Sequence, residues 1–329
     1  MSVKFLQIGL LLVTAACIAQ AQPKGYIISA RNGESVVKEE DLRAEVEFLT
    51  DSLCAGRATG TGGSVWAQSW IAREFKAAGL LPAGGSYFHG FRALTGATGH
   101  NVIGFLPGSG KRYVVVTAHY DHIGTLSGTL YPGADNNASG VAALLSLTRM
   151  FQHMKELGRT YSSTLIFVAL DAKELSLAGS HRFWDEIADG RLRDPSTGAP
   201  VLPADIDRMV NIDQVGGTEA PIHPGRPDYL MMLSGEKDGR RDVLHIANAG
   251  PGIGLDLDFT YYGSPDFTRV FYRVVSDQRP FLEHGIPAVM FTSGITFRNN
   301  KPDDHAASLD YAILRRRILA IYHYLVRVI

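Results

Sequence analysis

The chain has few cysteines, almost no net charge and no long hydrophobic run. Only Cys17 and Cys54 occur among its 329 residues, so a disulfide framework is excluded. The formal net charge of −1 gives no electrostatic basis for binding nucleic acid or an anionic membrane. The apolar run near the N-terminus is shorter than the about 20 residues that a transmembrane helix needs. The sequence also contains no internal repeat and no low-complexity segment.

The first 21 residues are typical of a secretory signal peptide. A lysine precedes a mostly apolar stretch at residues 5–17, and Ala19-Gln20-Ala21 is a small-x-small cleavage site. We therefore expect an exported protein, periplasmic or extracellular, whose mature chain begins near Gln22. Cleavage before Cys17, as in a lipoprotein, is the alternative, and it would tether the protein to a membrane.

From residue 22 to residue 329 the sequence predicts one α/β domain. Hydrophobic residues make up 45% of the chain and charged residues 20%, which is typical of globular proteins. Short, β-branched, non-alternating runs alternate with helical patterns, as in a mostly parallel sheet that helices cover on both faces. The fold class is therefore a three-layer α/β/α domain. Predicted strands are residues 113–118, 164–170, 209–212, 229–233 and 288–291, and predicted helices are residues 39–49, 64–78, 138–157, 179–187, 240–249 and 311–328.

Two local patterns carry further expectations. In the helix at residues 64–78, large apolar residues recur at helical spacing and are expected to pack on the sheet. These residues are Trp66, Trp70, Ile71 and Phe75. Residues 190–205 are rich in proline and are expected to form an insertion at the rim of the domain.

Histidine and acidic side chains follow the predicted strands where the strands end. The candidate metal ligands are His119, Asp135, Glu174 and Asp213. Because the carboxyl ends of parallel strands meet at one edge of a sheet, these side chains are expected to lie together. Histidine with carboxylates suits zinc, whereas an oxygen-rich set suits magnesium, manganese or calcium. Asp121 is placed to orient the His119 imidazole. Alternatively, Asp135 caps the helix that follows it.

These segments together resemble the di-zinc aminopeptidase family, peptidase family 28 of the metallopeptidases. The family includes bacterial leucyl aminopeptidase, glutamate carboxypeptidase II and glutaminyl cyclase. The similarity runs from about residue 41 to the C-terminus. Its motifs are residues 53–60, His119-x-Asp121, residues 133–135, Gly179-Ser180, residues 211–213 and residues 285–288. The resemblance implies a zinc-exopeptidase-like fold and an exported metallo-exopeptidase that removes N-terminal residues of peptides with metal-activated water.

The resemblance also implies roles for single residues. His119 and Asp213 would bind one metal ion, Asp135 would bridge two ions, Glu174 would bind the second ion, and Asp121 would steady His119.

The chain departs from the family at its catalytic positions. The family has two adjacent glutamates after the strand at 164–170, a general base and then a ligand, but here Lys173 precedes Glu174. Asn300 stands where the family has the histidine that completes the second metal site, and Asn299 replaces a tyrosine that helps to hold the oxyanion. The Asn300 amide oxygen is a weak ligand, better suited to calcium than to zinc. His305 is an alternative ligand.

The departures leave two functions open. Nearby carboxylates would keep Lys173 protonated, so its role as a base at this position is doubtful and one zinc ion is favoured over two. The chain is then either an active metallo-aminopeptidase or a catalytically impaired relative that binds peptides. Glutaminyl-cyclase chemistry is disfavoured because it uses the missing histidine. A peptide is the expected partner in both cases, and nucleic acid is not.

Overall fold

A computed structural model describes residues 31–219, 225–235 and 239–329 of the chain. The strands are β1 (Leu81–Pro82), β2 (Phe88–Arg92), β3 (Thr98–Leu106), β4 (Arg112–His119), β5 (Gly124–Leu126), β6 (Thr129–Tyr131), β7 (Ser163–Leu170), β8 (Ile206–Ile212), β9 (Tyr229–Ser234), β10 (Asp256–Asp258) and β11 (Ala288–Thr292). The helices are α1 (Glu39–Thr50), α2 (Gly62–Ala77), α3 (Ser139–Glu156), α4 (Ala178–Ala188), α5 (Arg241–Asn248), α6 (Pro265–Arg273), α7 (Arg279–Glu283) and α8 (Tyr311–Val328).

The strands form one nine-stranded mixed sheet and a separate β5–β6 hairpin. The order in the large sheet is β1-β3-β7-β4-β8-β11-β9-β10, and β2 pairs with β3. Its centre is parallel, because β7, β4, β8 and β11 run in the same direction. The sheet changes direction on either side of this centre, where β3 pairs antiparallel with β7 and β9 pairs antiparallel with β11. The predicted α/β class with a mixed central sheet is confirmed, and parallel pairing is found in the centre of the sheet and between β9 and β10.

Helices cover both faces of the sheet, as the non-alternating strands predicted. In β4, Val114 and Val116 belong to the hydrophobic cluster on the side of α3 and α8. Val115, between them, belongs to the cluster on the opposite face, which includes Phe183 of α4. The sheet therefore separates two cores, and the strand ends are the places where polar side chains reach the edge.

The predicted elements differ from the observed ones mainly at the antiparallel edge. The hairpin of β2 and β3 was not predicted, because β2 has no hydrophobic face and the apolar run of β3, residues 102–106, contains Gly104. The packing expected of Trp66 is wrong, since its side chain is exposed, whereas Ile71 and Phe75 are buried. In the described ranges no helix is both long and apolar enough to cross a membrane. The predicted signal peptide and Cys17 lie outside the described residues.

Candidate functional site

Three adjacent parallel strands, β7, β4 and β8, bring the candidate residues to one edge of the sheet. His119 is the last residue of β4 and pairs in register with Leu170 at the end of β7. Asp213 directly follows β8, and its backbone N–H donates to the carbonyl of Phe291 in β11. Lys173 and Glu174 lie in the loop after β7. Since the strands are parallel, their carboxyl ends form one site.

His119 is fully buried between two aspartates. Its Nε2 lies 3.2 Å from Asp213 Oδ1. Its Nδ1 lies 3.2 Å from the backbone carbonyl oxygen of Asp121 and 3.5 Å from Asp121 Oδ1. Burial and the charge of Lys173 would lower the pKa of His119, but Asp213 and Asp121 raise it to about 10. The imidazole is therefore held as a cation in this arrangement.

Asp121 fixes the loop after β7 in addition to contacting His119. Asp121 Oδ1 accepts a hydrogen bond from the backbone N–H of Lys173 at 3.0 Å. Its other oxygen, Oδ2, accepts one from the backbone N–H of Glu174 at 3.0 Å. Asp121 is itself fully buried. One carboxylate therefore sets the position of the two residues at which the family has its paired glutamates.

The Lys173 ammonium is paired with carboxylates of the site. Lys173 Nζ donates to Glu174 Oε1 at 3.1 Å, and the two side chains are 15% and 27% exposed. Burial opposes its charge, but Asp213 and Glu174 hold the pKa of Lys173 above its usual value. Burial alone would raise the pKa of Asp213, but the charges of Lys173 and His119 hold this pKa below its usual range. The ion pair and these charges therefore favour the protonated form of Lys173.

Asp277 also belongs to this cluster, and the sequence analysis did not assign it a role. Its side chain is fully buried, and neither carboxylate oxygen has a hydrogen-bond partner among the described residues. Burial raises the pKa of Asp277 to about 7, while the charges of His119 and Lys173 oppose this rise. The preceding residue, Ser276, donates to Asp213 Oδ2 at 3.2 Å, which anchors the segment at the site.

Asp135 lies in a different set of contacts. Its Oδ1 accepts hydrogen bonds from the backbone N–H groups of Gly216 at 2.8 Å and Gly217 at 2.9 Å, and from the Ser139 hydroxyl at 3.2 Å. Burial, with the charge of Asp304, raises the pKa of Asp135 to about 7. No hydrogen bond or ion pair in the described part of the chain joins Asp135 to the cluster around His119. Nor does its side chain cap α3.

The neighbouring Asn136 faces the position of the missing histidine. Asn136 Nδ2 donates to Asn300 Oδ1 at 2.9 Å and to Asn299 Oδ1 at 3.1 Å. The amide oxygen of Asn136 is buried without a partner among the described residues. Neutral amides therefore meet at Asn299 and Asn300, where the resemblance implies a tyrosine and a histidine. His305 is exposed at the start of a short 3-10 turn, so the structure gives no support to it as a replacement ligand.

The residues present do not fit a pair of zinc ions. In the ranges that the structure describes, no group of three or more His, Cys, Asp and Glu side chains could hold a metal ion. The cation Lys173 beside Asp213 and Glu174 would repel a divalent ion. The predicted ligand set of His119, Asp135, Glu174, Asp213 and Asn300 is therefore not assembled as one group. His119 with Asp213 is the part of the set that is in contact.

Comparison with known sequences shows where this fold occurs. The model of "Peptidase family M28" matches residues 101–325, more than half of the chain. Aminopeptidase YwaD of Bacillus subtilis is 27% identical over 207 residues, covering 62% of this chain and 37% of YwaD. The BOS complex subunit ncln of Danio rerio is 29% identical over 140 residues, covering 39% of this chain and 23% of that protein. The chain thus spans well under two thirds of the length of these two relatives.

Solved structures show the same fold. BSAP, a zinc aminopeptidase from Bacillus subtilis, superposes with a TM-score of 0.63 at 14% identity, covering 88% of this chain and 94% of BSAP. The glutaminyl cyclase of Porphyromonas gingivalis superposes with a TM-score of 0.64 at 15% identity, covering 88% of this chain and 97% of the cyclase. These likenesses concern the fold, and the match to the family model extends over all the strands from β4 to β11. The chain belongs to peptidase family M28.

Proposed function

We propose that this protein is a peptide-binding member of the family in which metal-dependent aminopeptidase activity is strongly reduced or lost. The observation that carries this proposal is the 3.1 Å ion pair between Lys173 and Glu174. By the resemblance, these two positions hold the general base and a metal ligand. An ammonium cannot take a proton from water, and a positioned general base contributes about 10²–10⁴-fold to the rate.

The cluster retains the chemistry to hold the amino end of a peptide. The Asp277 carboxylate is buried without a hydrogen-bond partner among the described residues, and Glu174, whose side chain is 27% exposed, is the accessible carboxylate that acts on the same Lys173 charge. A buried carboxylate needs a cation or a donor to offset the loss of water. The N-terminal ammonium of a peptide is such a group, and YwaD and BSAP are both named as aminopeptidases.

A relative with a different role supports the same proposal. The ncln protein is named as a subunit of a complex, although it shares 29% identity with this chain over 140 residues. A related sequence is thus named for membership of an assembly. A member of this family can therefore be named for its place in a complex rather than for a reaction, and a chain that has lost metal chemistry but still binds a peptide fits this pattern.

The second candidate function is an active, exported metallo-exopeptidase. It is favoured by the His119–Asp213 contact at 3.2 Å, because the resemblance assigns this pair to one metal ion. It needs zinc, and the cation at Lys173 with the amides of Asn136 and Asn300 argues against two ions. Export is proposed for either function from the first 21 residues, and the peptides would then be encountered outside the cytoplasm.

Metal content and peptide binding, measured on the same preparation, separate the two candidates. The purified protein is equilibrated with zinc, its metal content is determined by elemental analysis, and hydrolysis of leucine p-nitroanilide is assayed. We expect no more than one zinc ion per chain and no turnover above background. Calorimetry should still detect a tripeptide with a free N-terminus and not its N-acetylated form. Two zinc ions per chain with turnover would overturn the proposal in favour of the exopeptidase.

A further inference from the structure

A groove next to the candidate site combines basic and apolar side chains. Its volume is about 580 Å³, within the range of small-ligand sites. Arg92 and Leu94, at the end of β2 and in the turn after it, line one part of the groove. His181 and Arg182 of α4 line another part. Leu175, which directly follows Glu174, also lines the groove and so connects it to the candidate site.

The charge of the groove favours an anion. Arg92 is exposed and has no ion pair or side-chain hydrogen bond with any residue that the structure describes. Arg182 Nε lies 3.4 Å from Glu186 Oε1 and makes no hydrogen bond within the described ranges. The lining includes one acidic residue, Asp185. Ala178, the first residue of α4, lines the groove as well, so the positive end of the helix dipole adds to the two guanidinium groups.

An apolar rim accompanies these charges. Leu94 is fully exposed in the turn that the hydrogen bond from Ala93 N–H to the Ala97 carbonyl closes. Phe91 and Leu175 also line the groove. A leucine exposed on a tight turn gains nothing from the fold itself, whereas it could bury apolar area against a bound side chain. The groove therefore suits a ligand with a carboxylate next to an aliphatic group.

We propose that this groove holds the C-terminal carboxylate and last side chain of a short peptide. The N-terminal ammonium of the same peptide would lie at Glu174, whose side chain is 27% exposed, so this inference rests on the proposed function. Since Leu175 of the groove directly follows Glu174 in the chain, a short ligand of about two to four residues, at roughly 3.3–3.6 Å per residue, is expected to reach both places. Arg92 would pair with the carboxylate, since arginine binds carboxylates through two parallel donors.

Calorimetry with three forms of one tripeptide tests this inference on the full mature chain. Ala-Leu-Leu is used as the free acid, as the C-terminal amide and as the N-acetylated acid. The free acid should bind about tenfold more tightly than the amide, because a charge-assisted hydrogen bond is lost. Arg92→Ala should remove this preference, while Arg73→Ala, a change of an exposed arginine on α2, should leave it intact. Asp185→Asn should tighten binding of the free acid about twofold, because it removes the acidic charge of the groove.

The outcomes distinguish the groove from the proposed function. If the acid and the amide bind equally well and binding requires a free N-terminus, the proposed role of the groove is contradicted and the proposed function is supported. Binding of the N-acetylated acid that Arg92→Ala abolishes would support the groove and contradict recognition of the N-terminus. Absence of binding by all three forms would reject both. A gain of affinity in Asp185→Asn cannot be explained by misfolding, so it supports the groove independently of the Arg92 variant.

Discussion

Lys173 is balanced by neighbouring carboxylates rather than by solvent alone. Its Nζ is bonded to Glu174, and the charge of Asp213 stabilises it further. With His119 held as a cation, the site contains two positive groups among its carboxylates. A pair of divalent ions would bring more positive charge into the same space. Under the proposed function, Lys173 would supply part of the positive charge that balances these carboxylates.

Removing the Lys173 charge should destabilise the protein in the absence of metal. Lys173→Ala removes the ion pair of Glu174 and one of the two cations that stabilise Asp213, so we expect a loss of about 2–4 kcal/mol in the free energy of unfolding. Chemical denaturation in the presence of a chelator measures this change. Lys111→Ala, at an exposed position before β4, is the control and should stay within about 0.5 kcal/mol. An unchanged unfolding curve for Lys173→Ala would mean that this ammonium points to solvent in the folded protein.

The sequence located several site residues but not their contacts. Strand ends identified His119, Glu174 and Asp213 because parallel strands converge at one edge. Asn136 was not predicted as a site residue, because Asp135 is the carboxylate in this segment and carboxylates are the expected metal ligands. The local backbone conformation determines which side chain of the segment faces the site. Asp277 was missed because it comes from a distant segment, and only tertiary packing places it beside His119.

At the scale of elements, the segment before α3 is held in place by one carboxylate from the C-terminal part of the chain. Asp304 Oδ1 accepts the backbone N–H of Asp135 at 2.8 Å, and Oδ2 accepts that of Asn136 at 3.1 Å. Asn137 links the same segment to the end of β8, because its side chain bonds the Ile212 carbonyl and the Gln214 N–H. These bonds fix which side chains of the segment reach the site.

Loss of the Asp304 carboxylate should loosen this segment. Asp304→Ala leaves two buried N–H groups without acceptors, at about 1–3 kcal/mol each. We expect a drop of about 2–4 kcal/mol in stability and faster amide exchange at residues 135–137, measured by mass spectrometry. Asp303→Ala is the matched control, since that neighbour is exposed and should have a small effect. Equal effects of the two changes would contradict the anchoring role of Asp304.

Elements with strong periodicity were predictable, and those at the sheet edges were not. The helix at Tyr311–Val328 was predicted with its observed bounds, and the strand at residues 164–170 differs from β7 by one residue. In β2, exposed and half-buried residues alternate without a hydrophobic face, so no strand pattern is visible in this segment of the sequence. Helix α6 follows Ser264, whose side chain accepts the Phe267 N–H, a cap that was not recognised.

At the scale of the whole molecule, the sheet determines where a ligand can bind. β7, β4, β8 and β11 are parallel, so the loops after them share one edge, and the groove lined by α4 opens beside this edge. A zinc aminopeptidase and a glutaminyl cyclase each superpose on 88% of this chain. The same fold therefore occurs with different reactions, and the side chains at that edge determine which reaction takes place. The identities at a few positions therefore decide whether the molecule binds metal, peptide or both.

Introducing further metal ligands at the site should link zinc binding to the stability of the whole domain. The triple variant Asn136→Asp, Lys173→Glu, Asn300→His replaces the amides in contact at 2.9 Å and removes the cation paired with Glu174. Because a ligand that binds only the folded state stabilises it by about 2.7 kcal/mol at a hundred times its Kd, zinc should raise the Tm of this variant. The single variant Lys173→Glu should respond less, since Asn136 and Asn300 would remain amides, and the unaltered protein should respond least. Thermal unfolding with zinc, with calcium and with a chelator measures each response. An equal rise of Tm in the unaltered protein would show that its own residues already hold the metal, and the assignment of Lys173 as the substitute cation would then be wrong.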